Sequence, residues 1–281
     1  MVRGVGDLFR GFYTVASGML AQQRRTEMLT NNMANINTPG YKADQSSVRA
    51  FPDMLIQKME SPDVPGNSVA TTMTPVGRLN TGVYIQDITP NFKQGDLTQT
   101  SLNTDLALNH ITMPLNQNGV QGSVFFTVQN PDGGVQYTRN GNFTIDGAGF
   151  LTAATGQYVL DTYGNPIALV NDSFTVTEDG WVQQNGQNVA RLGIAYAENP
   201  NLLTKTSTGL YQMDGGALPS AYANNQVAFS VKQGYIERSN VDAAETMTNM
   251  LTAYRSFEAN QKVLQAYDRS MDKAVNEIGK L

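Results

Sequence analysis

The chain has 281 residues, long enough for one large domain or two moderate ones, each with a hydrophobic core. A formal net charge of −5 argues against nucleic-acid binding, because affinity for phosphates depends on clustered Lys and Arg. The absence of Cys excludes disulfides, thiolate metal sites and thiol nucleophiles. The sequence has no apolar run of about 18 residues and no signal-peptide pattern, so we expect neither a transmembrane segment nor a cleaved signal.

The first predicted element is a long N-terminal helix with a single apolar seam. Seam positions recur in steps of four and three residues from Leu8 to Ile36, with a polar gap in the middle. An Asn-rich stretch at 31–37 follows, and its amides could satisfy the last helix carbonyls or pair across subunits. Pro39 and Gly40 suit the two central positions of a type II turn.

Residues 44–81 fit no regular class and are interpreted as a connector. Four prolines interrupt this stretch, and the apolar residues within 51–59 predict at most a short helix.

The middle of the chain, 82–235, predicts a hairpin-rich antiparallel β domain. Short runs rich in β-branched and aromatic residues alternate with Gly, Asn, Asp and Pro. The predicted strands are 82–88, 123–129, 135–139, 142–145, 158–160, 173–176, 189–197 and 226–232. Tight turns are predicted at Asp132-Gly133, Asn140-Gly141, Asp146-Gly147, Asp179-Gly180 and Asn185-Gly186.

A second long helix is predicted near the C-terminus, because the same seam of four and three steps extends from Ala243 to Ile278. The fold class is therefore α+β. Its expected parts are an N-terminal helix segment (1–43), the connector (44–81), the central β domain (82–235) and a C-terminal helix segment (236–281). The two seams must be covered, either by each other within one chain or by neighbouring subunits, and periodicity leaves both possibilities open.

Candidate catalytic chemistry is sparse. His110 is the single histidine, which excludes a His-based metal cluster, and we interpret it as a surface loop residue. A wall hydrolase would need two carboxylates facing across a groove. The candidates lie in turn-rich sequence and are interpreted as solvated turn residues: Asp161, Asp172, Glu178 and Asp179. We predict no catalytic residue, metal site or cofactor, and no small-molecule substrate.

Four segments of the sequence resemble the flagellar basal-body rod and hook proteins, most closely the distal-rod type and its Gram-positive relatives. The segments are Ala34 to Lys42 with upstream Ser17-Gly18-Met19 and Asn31-Asn32; Gly82-Val83-Tyr84 to Ala107, including Phe92 and Gln94-Gly95; Tyr137 to Phe143 continuing to Ile167; and Gln233 to Val241 leading to Asn260. One departure is the stretch 109–122, longer than the family's usual turn into a Phe-Phe strand.

The resemblance implies a structural, non-enzymatic subunit of the flagellar basal-body rod. It implies a coiled-coil-like inner domain of the two helices, a β domain outside, self-assembly and contact with neighbouring rod or hook subunits. It further implies export through the flagellar type III apparatus to a place outside the cytoplasmic membrane. A secreted monomeric adaptor or assembly cap is the alternative. The positions assigned to assembly are Leu8, Phe12, Val15, Met19, Leu29, Met33, Asn35, Asn37, Pro39, Gly40, Tyr41, Met247, Met250, Tyr254, Phe257, Leu264 and Met271.

Overall fold

The computed structural model of the chain describes residues 3–60, 72–130, 133–273 and 275–276. Two long helices, α1 (Arg3–Ala34) and α2 (Ala243–Lys273), precede and follow a β-rich middle in the sequence, which confirms the α+β class. The described strands are β1 (Asp44–Ala50), β2 (Met54–Glu60), β3 (Thr72–Leu79), β4 (Val83–Pro90), β5 (Leu97–Gln99), β6 (Leu106–Thr112), β7 (Ser123–Gln129), β8 (Val135–Thr138), β9 (Phe143–Ile145), β10 (Leu151–Ala153), β11 (Phe174–Val176), β12 (Trp181–Gln184), β13 (Gln187–Arg191), β14 (Ile194–Ala197), β15 (Leu203–Lys205), β16 (Tyr211–Met213), β17 (Ala228–Gln233) and β18 (Tyr235–Glu237).

The chain forms two compact units. The helical unit contains Met1–Met33, Asp44–Thr89 and Ala243–Leu281, and the β unit contains Ala34–Ala43 and Pro90–Asp242.

Strands, not a helix, follow α1 in the helical unit. β1 pairs with β4, and β2 pairs antiparallel with β3, so the short helix predicted within 51–59 is wrong. Pro75 is tolerated in β3 because it lies opposite Gln57, beside an irregularity in the register between Ile56 and Gln57. Helix α1 also ends two residues before Ile36, the last predicted seam position. Ile278 lies outside the described residues.

The core of the β unit lies on both faces of a five-stranded sheet ordered β14-β7-β8-β16-β15. Side chains alternate between faces along a strand. Accordingly, Phe126 of β7 packs in the large cluster with Leu106 and Phe143, while Phe125 packs in a smaller cluster with Tyr211. Burial on both faces explains why β7 has a nearly continuous apolar sequence.

Most predicted strands match observed ones to within one or two residues, and 123–129 coincides with β7. The predicted strand 189–197 instead divides into β13 and β14 at Gly193, where an added Cβ would overlap Thr127 and the backbone at 160–161. Residues 158–160 form only isolated bridges. Strands β5, β6, β10, β12, β15, β16 and β18 were not predicted. Apart from β6 with seven residues and β12 with four, these strands have three residues each, which carry too little periodicity to detect.

Two predicted tight turns are confirmed by backbone geometry. Asn185 and Gly186 both have positive φ, as a type I′ turn between β12 and β13 requires. Gly180 has φ +80°, and its N–H donates to the Thr177 carbonyl.

At two other predicted turns the named glycine does not have the positive φ that was the basis of the prediction. At Asp146-Gly147 the positive φ falls on Gly149, whose N–H donates to the Asp146 carbonyl. Gly141 does not have a positive φ. A glycine is required there because a Cβ would overlap the Leu106 carbonyl. Asp132 lies outside the described residues.

The departure at 109–122 is partly regular structure. Its first residues belong to β6, which pairs with β17, and Leu115 bridges to Gln121 across a turn held by Asn116.

Candidate assembly site

Helices α1 and α2 pack against each other within the helical unit. Met28 and Leu29 of α1 are buried together with Ala253, and Met250 packs beside them. Farther along, a Cβ added at Gly11 would overlap the Tyr267 hydroxyl. Residues nearer the start of α1 therefore contact residues nearer the end of α2, so the two helices are antiparallel.

The buried face of α2 differs from the predicted seam. Met250, Phe257, Leu264 and Met271 are partly buried, as the seam requires. The alternate positions on this face lie one residue before the predicted ones: Thr246, Ala253, Asn260 and Tyr267. The first three are small or polar, and the large Tyr267 lies against Gly11 of α1. Close packing of two helices favours small side chains, whereas apolarity alone had selected Met247 and Tyr254.

The large apolar residues displaced from this face form an exposed stripe. Met247, Leu251 and Tyr254 are 47, 45 and 52% exposed, and their spacing of four and three residues places them on one side of α2. Tyr13 and Leu20 of α1, seven residues apart, are also exposed. We call the α2 residues 247, 251 and 254 the apolar stripe. Helix α2 therefore has apolar side chains on two sides, of which one faces α1.

The predicted assembly residues of α1 lie mostly at partly covered positions. Leu29 is buried, and Phe12, Val15, Met19 and Met33 are partly buried. The side chain of Leu8 lies outside the described residues.

The Asn-rich segment at the end of α1 makes hydrogen bonds within the chain. Asn32 donates to the Asp44 carbonyl over 2.8 Å and accepts from the Asp44 N–H over 2.9 Å, which holds the start of β1. The Asn35 carboxamide accepts from the Thr38 hydroxyl, and Asn37 is exposed.

Pro39 and Gly40 form the predicted type II turn. The Tyr41 N–H donates to the Thr38 carbonyl, and Gly40 has φ +68°. Gly40 also donates to the Glu237 carbonyl over 2.7 Å, and an added Cβ would overlap the backbone at Arg139. Pro39 is partly covered, whereas Gly40 and Tyr41 are buried. This segment therefore docks closely on the β unit to which it belongs.

A buried ionic cluster lies beneath the turn. Glu237 accepts from the Lys42 ammonium at 2.5 Å and from the Arg139 guanidinium at 2.6 and 2.8 Å, and its carboxylate also accepts the Gly95 N–H. All three charged side chains are at most 2% exposed. Backbone carbonyls complete the set: Lys42 donates to Lys93, and Arg139 donates to Val124 and Leu108. The three side chains thus have hydrogen-bond partners.

His110 is the fourth member of the ionic cluster. Its Nε2 lies 2.9 Å from an Arg139 nitrogen, and because guanidinium only donates, the imidazole must accept and carries its proton on Nδ1. Burial first, and then the Arg139 and Lys42 cations, lower the pKa of His110 to about 2. The interpretation of His110 as a surface loop residue was wrong, because it belongs to β6 and faces this cluster.

The ionic cluster carries a surplus positive charge at neutral pH. Burial would raise the pKa of Glu237, but Arg139 and Lys42 outweigh it, and the pKa is lowered. Burial lowers the pKa of Lys42 to about 8, an effect that Arg139 reinforces and Glu237 opposes. Two cations therefore face one carboxylate, and the three backbone carbonyls offset part of the excess.

The Asn240 side chain, shortly before α2, hydrogen-bonds to backbone groups of two other segments beside the ionic cluster. Its carboxamide oxygen accepts the Ala43 N–H over 2.8 Å, and its nitrogen donates to the carbonyls of Asn91 and Lys93. Each of the four sequence segments singled out above thus supplies groups to one cluster. Sequence reasoning noted the segments but missed the cluster. Charged residues inside Gly- and Asn-rich turns were the available sign of such a cluster. Because Lys42 and Glu237 lie 195 positions apart, the sequence did not indicate that they meet.

The turn carboxylates considered above as hydrolase candidates can be examined in their contacts. Among the described residues, no group of three or more His, Cys, Asp or Glu side chains is placed to hold a metal ion. The Asp161 carboxylate accepts the N–H groups of Tyr163 and Asn165, as a turn residue does. Neither helix, over the part that the structure describes, is long and apolar enough to cross a membrane.

Comparison with known proteins places the chain in a family. Residues 12–42 match the family model described as flagella basal body rod protein, residues 119–184 match the flagellar hook protein FlgE/F/G D1 domain, and residues 232–277 match the flagellar basal body rod FlgEFG protein C-terminal region.

Whole-length relatives agree with these models. The flagellar hook-basal body complex protein FlhO of Bacillus subtilis is 48% identical, with 98% of this chain and all of that protein covered. The flagellar basal-body rod protein FlgG of Borreliella burgdorferi is 29% identical, with 96% of this chain and 98% of that protein covered. The flagellar basal-body rod protein FlgG of Buchnera aphidicola subsp. Baizongia pistaciae is 30% identical, with 92% of this chain and 95% of that protein covered. The chain therefore belongs to the flagellar basal-body rod and hook protein family, a family of structural proteins of the flagellar basal body.

Proposed function

We propose that this chain is a subunit of the flagellar basal-body rod that assembles with copies of itself and neighbouring rod or hook subunits through its terminal helices. In this proposal residues 1–43 and 236–281 supply a coiled-coil-like inner domain, residues 44–81 act as a connector, and residues 82–235 form the outer β domain. The compact units differ from these sequence-based bounds, since 34–43 and 236–242 belong to the β unit and 82–89 to the helical unit. The expected contacts are those positions assigned to assembly from sequence that are not buried within the single chain, and Leu251 is added to them; Leu29, Gly40 and Tyr41 are buried.

The observation that carries the proposal is the apolar stripe. Helix α2 already packs on α1, yet Met247, Leu251 and Tyr254 remain about half exposed in the single chain. Large apolar side chains on an otherwise polar helix surface favour a further packing partner. The names of the relatives, a hook-basal body complex protein and several rod proteins, support subunits of the same structure as that partner.

Function then depends on packing and not on catalysis, and no cofactor, nucleic acid or small-molecule substrate is involved. The net charge of −5 supports the exclusion of nucleic acid. Export through the flagellar type III apparatus, out of the cytoplasmic membrane, is part of the same proposal and agrees with a chain without Cys that must refold after passage.

The test is a single charge in the apolar stripe. Leu251→Lys should leave the monomer folded because the side chain is exposed, while raising the concentration needed for assembly at least about tenfold, equivalent to about 1.4 kcal/mol. Ala259→Lys, at an exposed position on another side of α2, is the matched control. Light scattering and electron microscopy would measure assembly, and equal assembly of both variants would refute the proposal.

The antiparallel packing of α1 on α2 supports one competitor, a closed monomeric adaptor. Such a protein would remain monomeric at high concentration in sedimentation equilibrium, with Leu251→Lys indistinguishable from the unmodified chain. Concentration-dependent growth of tubes or filaments would exclude it.

A further inference from the structure

A row of stacked side chains lies on the β unit, and one of its members, Phe229, is the cross-strand partner of His110. Trp181 of β12 and Arg191 of β13 are direct cross-strand partners, and the Arg191 guanidinium carbon lies 5.5 Å from the Trp181 ring centre. On its other side the same carbon lies 3.6 Å from the Tyr222 ring, which in turn contacts Phe229 at 5.3 Å. We call Trp181, Arg191, Tyr222 and Phe229 the aromatic row.

The aromatic row is held in place by the backbone around it. Arg191 donates from Nε to the Asp179 carbonyl, and the Tyr222 hydroxyl donates to the Leu192 carbonyl over 3.1 Å. Gly180 allows this approach, since a Cβ there would overlap the Tyr222 hydroxyl. Side chains that are already ordered lose little conformational entropy when a partner covers them.

A depression of about 210 Å³ opens beside the aromatic row. Arg191, Tyr222 and Phe229 line it, together with Asp179 and Asn225 at its edge. Trp181 remains 38% exposed at the end of the row. Trp, Tyr and Arg are the residues most enriched at the energetic centres of protein interfaces, which distinguishes this surface from an ordinary polar sheet face.

We propose that the aromatic row is a second contact surface, covered by another copy of this chain in the assembled rod. This inference rests on the proposed function and extends it from the helices to the β unit. A helical polymer uses heterologous contacts, so the row would meet a different surface of the next copy.

The area that a stable contact requires favours a second copy as the occupant. The large apolar residues exposed on the described parts of α1 and α2 number six (Tyr13, Leu20, Val263 and the three of the apolar stripe), whereas a stable interface takes about 20 to 30 residues a side. The assembly therefore needs further surface. The charges also favour a second copy as the occupant. Arg191 and Asp179 line the same depression, and only 15% of the residues are charged, so two identical copies would repel each other little. A nucleic acid or other polyanion would need several unpaired cations.

Intrinsic fluorescence tests this contact directly, because Trp181 is the only tryptophan of the chain. Acrylamide quenching of the full chain would be followed across a concentration series, with light scattering recorded on the same samples. We expect quenching of Trp181 to fall and its emission to shift to shorter wavelength as assembly proceeds.

Two variants separate contact from folding. Trp181→Ala removes a member of the aromatic row, and Asn225→Arg adds bulk at the edge of the depression. Each should raise the concentration needed for assembly at least about tenfold, as expected for an interface centre. Tyr163→Arg, at a residue 88% exposed elsewhere on the β unit, is the control for added charge and should have no such effect.

The outcomes distinguish the two proposals. Assembly with Trp181 as quenchable as in the monomer, or an Asn225→Arg effect no larger than that of Tyr163→Arg, overturns the second contact and leaves assembly through the helices intact. A chain that remains monomeric at every concentration overturns both.

Discussion

The β unit and the helical unit satisfy their side chains to different degrees. In the β unit four titratable side chains, Glu237 among them, form one buried cluster, and the three charged ones have hydrogen-bond partners within the chain. Among the described residues of the helical unit, three form the buried apolar cluster between α1 and α2, and the apolar stripe faces solvent. The contrast indicates that the β unit is held together by a large core and a buried ionic cluster of its own, whereas the two helices share a small buried cluster and α2 keeps a second apolar side.

The largest expected effect comes from removing the shared carboxylate of the ionic cluster. Glu237→Gln leaves Lys42 and Arg139 buried without their counter-charge, so the free energy of unfolding of the β unit should fall by about 3 to 5 kcal/mol. Urea denaturation measures it. Glu198→Gln, at an exposed position of the same unit, should change stability by less than about 0.5 kcal/mol. A similar cost for both variants would mean that the cluster does not stabilise the β unit.

Acid should weaken the same unit through His110. Its folded pKa of about 2 is below the ordinary 6.5, so the unfolded chain takes up a proton that the folded chain refuses. Stability is therefore full above about pH 6.5 and falls as the pH drops, by about 2 kcal/mol between pH 6.5 and 5 at about 1.4 kcal/mol per unit.

His110→Gln identifies the group responsible. Its stability, measured by urea denaturation from pH 5 to 8, should lose most of this slope, and the slope that Glu237 contributes at lower pH should remain. An unchanged slope between pH 6.5 and 5 would exclude His110 as the titrating group.

The smallest expected effect is that of Lys42→Met. Burial already disfavours the Lys42 charge, and Arg139 still pairs with Glu237 in the variant, so the change should stay within about 1 kcal/mol. In the unmodified chain, stability should rise between about pH 8 and 10.5, because only the unfolded chain keeps the proton there. Lys42→Met should lack this rise. A loss of stability as large as that of Glu237→Gln would show that the two cations are not in excess.

Sequence patterns predicted the elements that repeat a period over many residues. The two long helices, β7 and the Asn185-Gly186 turn follow from heptad spacing, apolar runs and residues tolerant of positive φ. The predicted α1-facing side of α2 was wrong at alternate positions. Close packing of α1 on α2 favours the small Ala253, whereas the seam was predicted from apolar character, which does not distinguish small from large side chains.

The ionic cluster could not be derived from local pattern. Lys42, Arg139 and Glu237 meet only after the chain has folded over nearly two hundred residues, and burial of charges is the reverse of what hydropathy predicts. The segments that carry them were recognisable by resemblance, yet their shared role in one cluster required the coordinates.

Hydrogen exchange on the full chain, as monomer and after assembly, tests the contrast between the two units most directly. We expect amides of β7 and β8 to be strongly protected in both states, and amides around 247–254 of α2 to exchange readily in the monomer and to gain protection in the polymer. Protection of α2 in the monomer equal to that of β7, with no gain on assembly, would contradict the account.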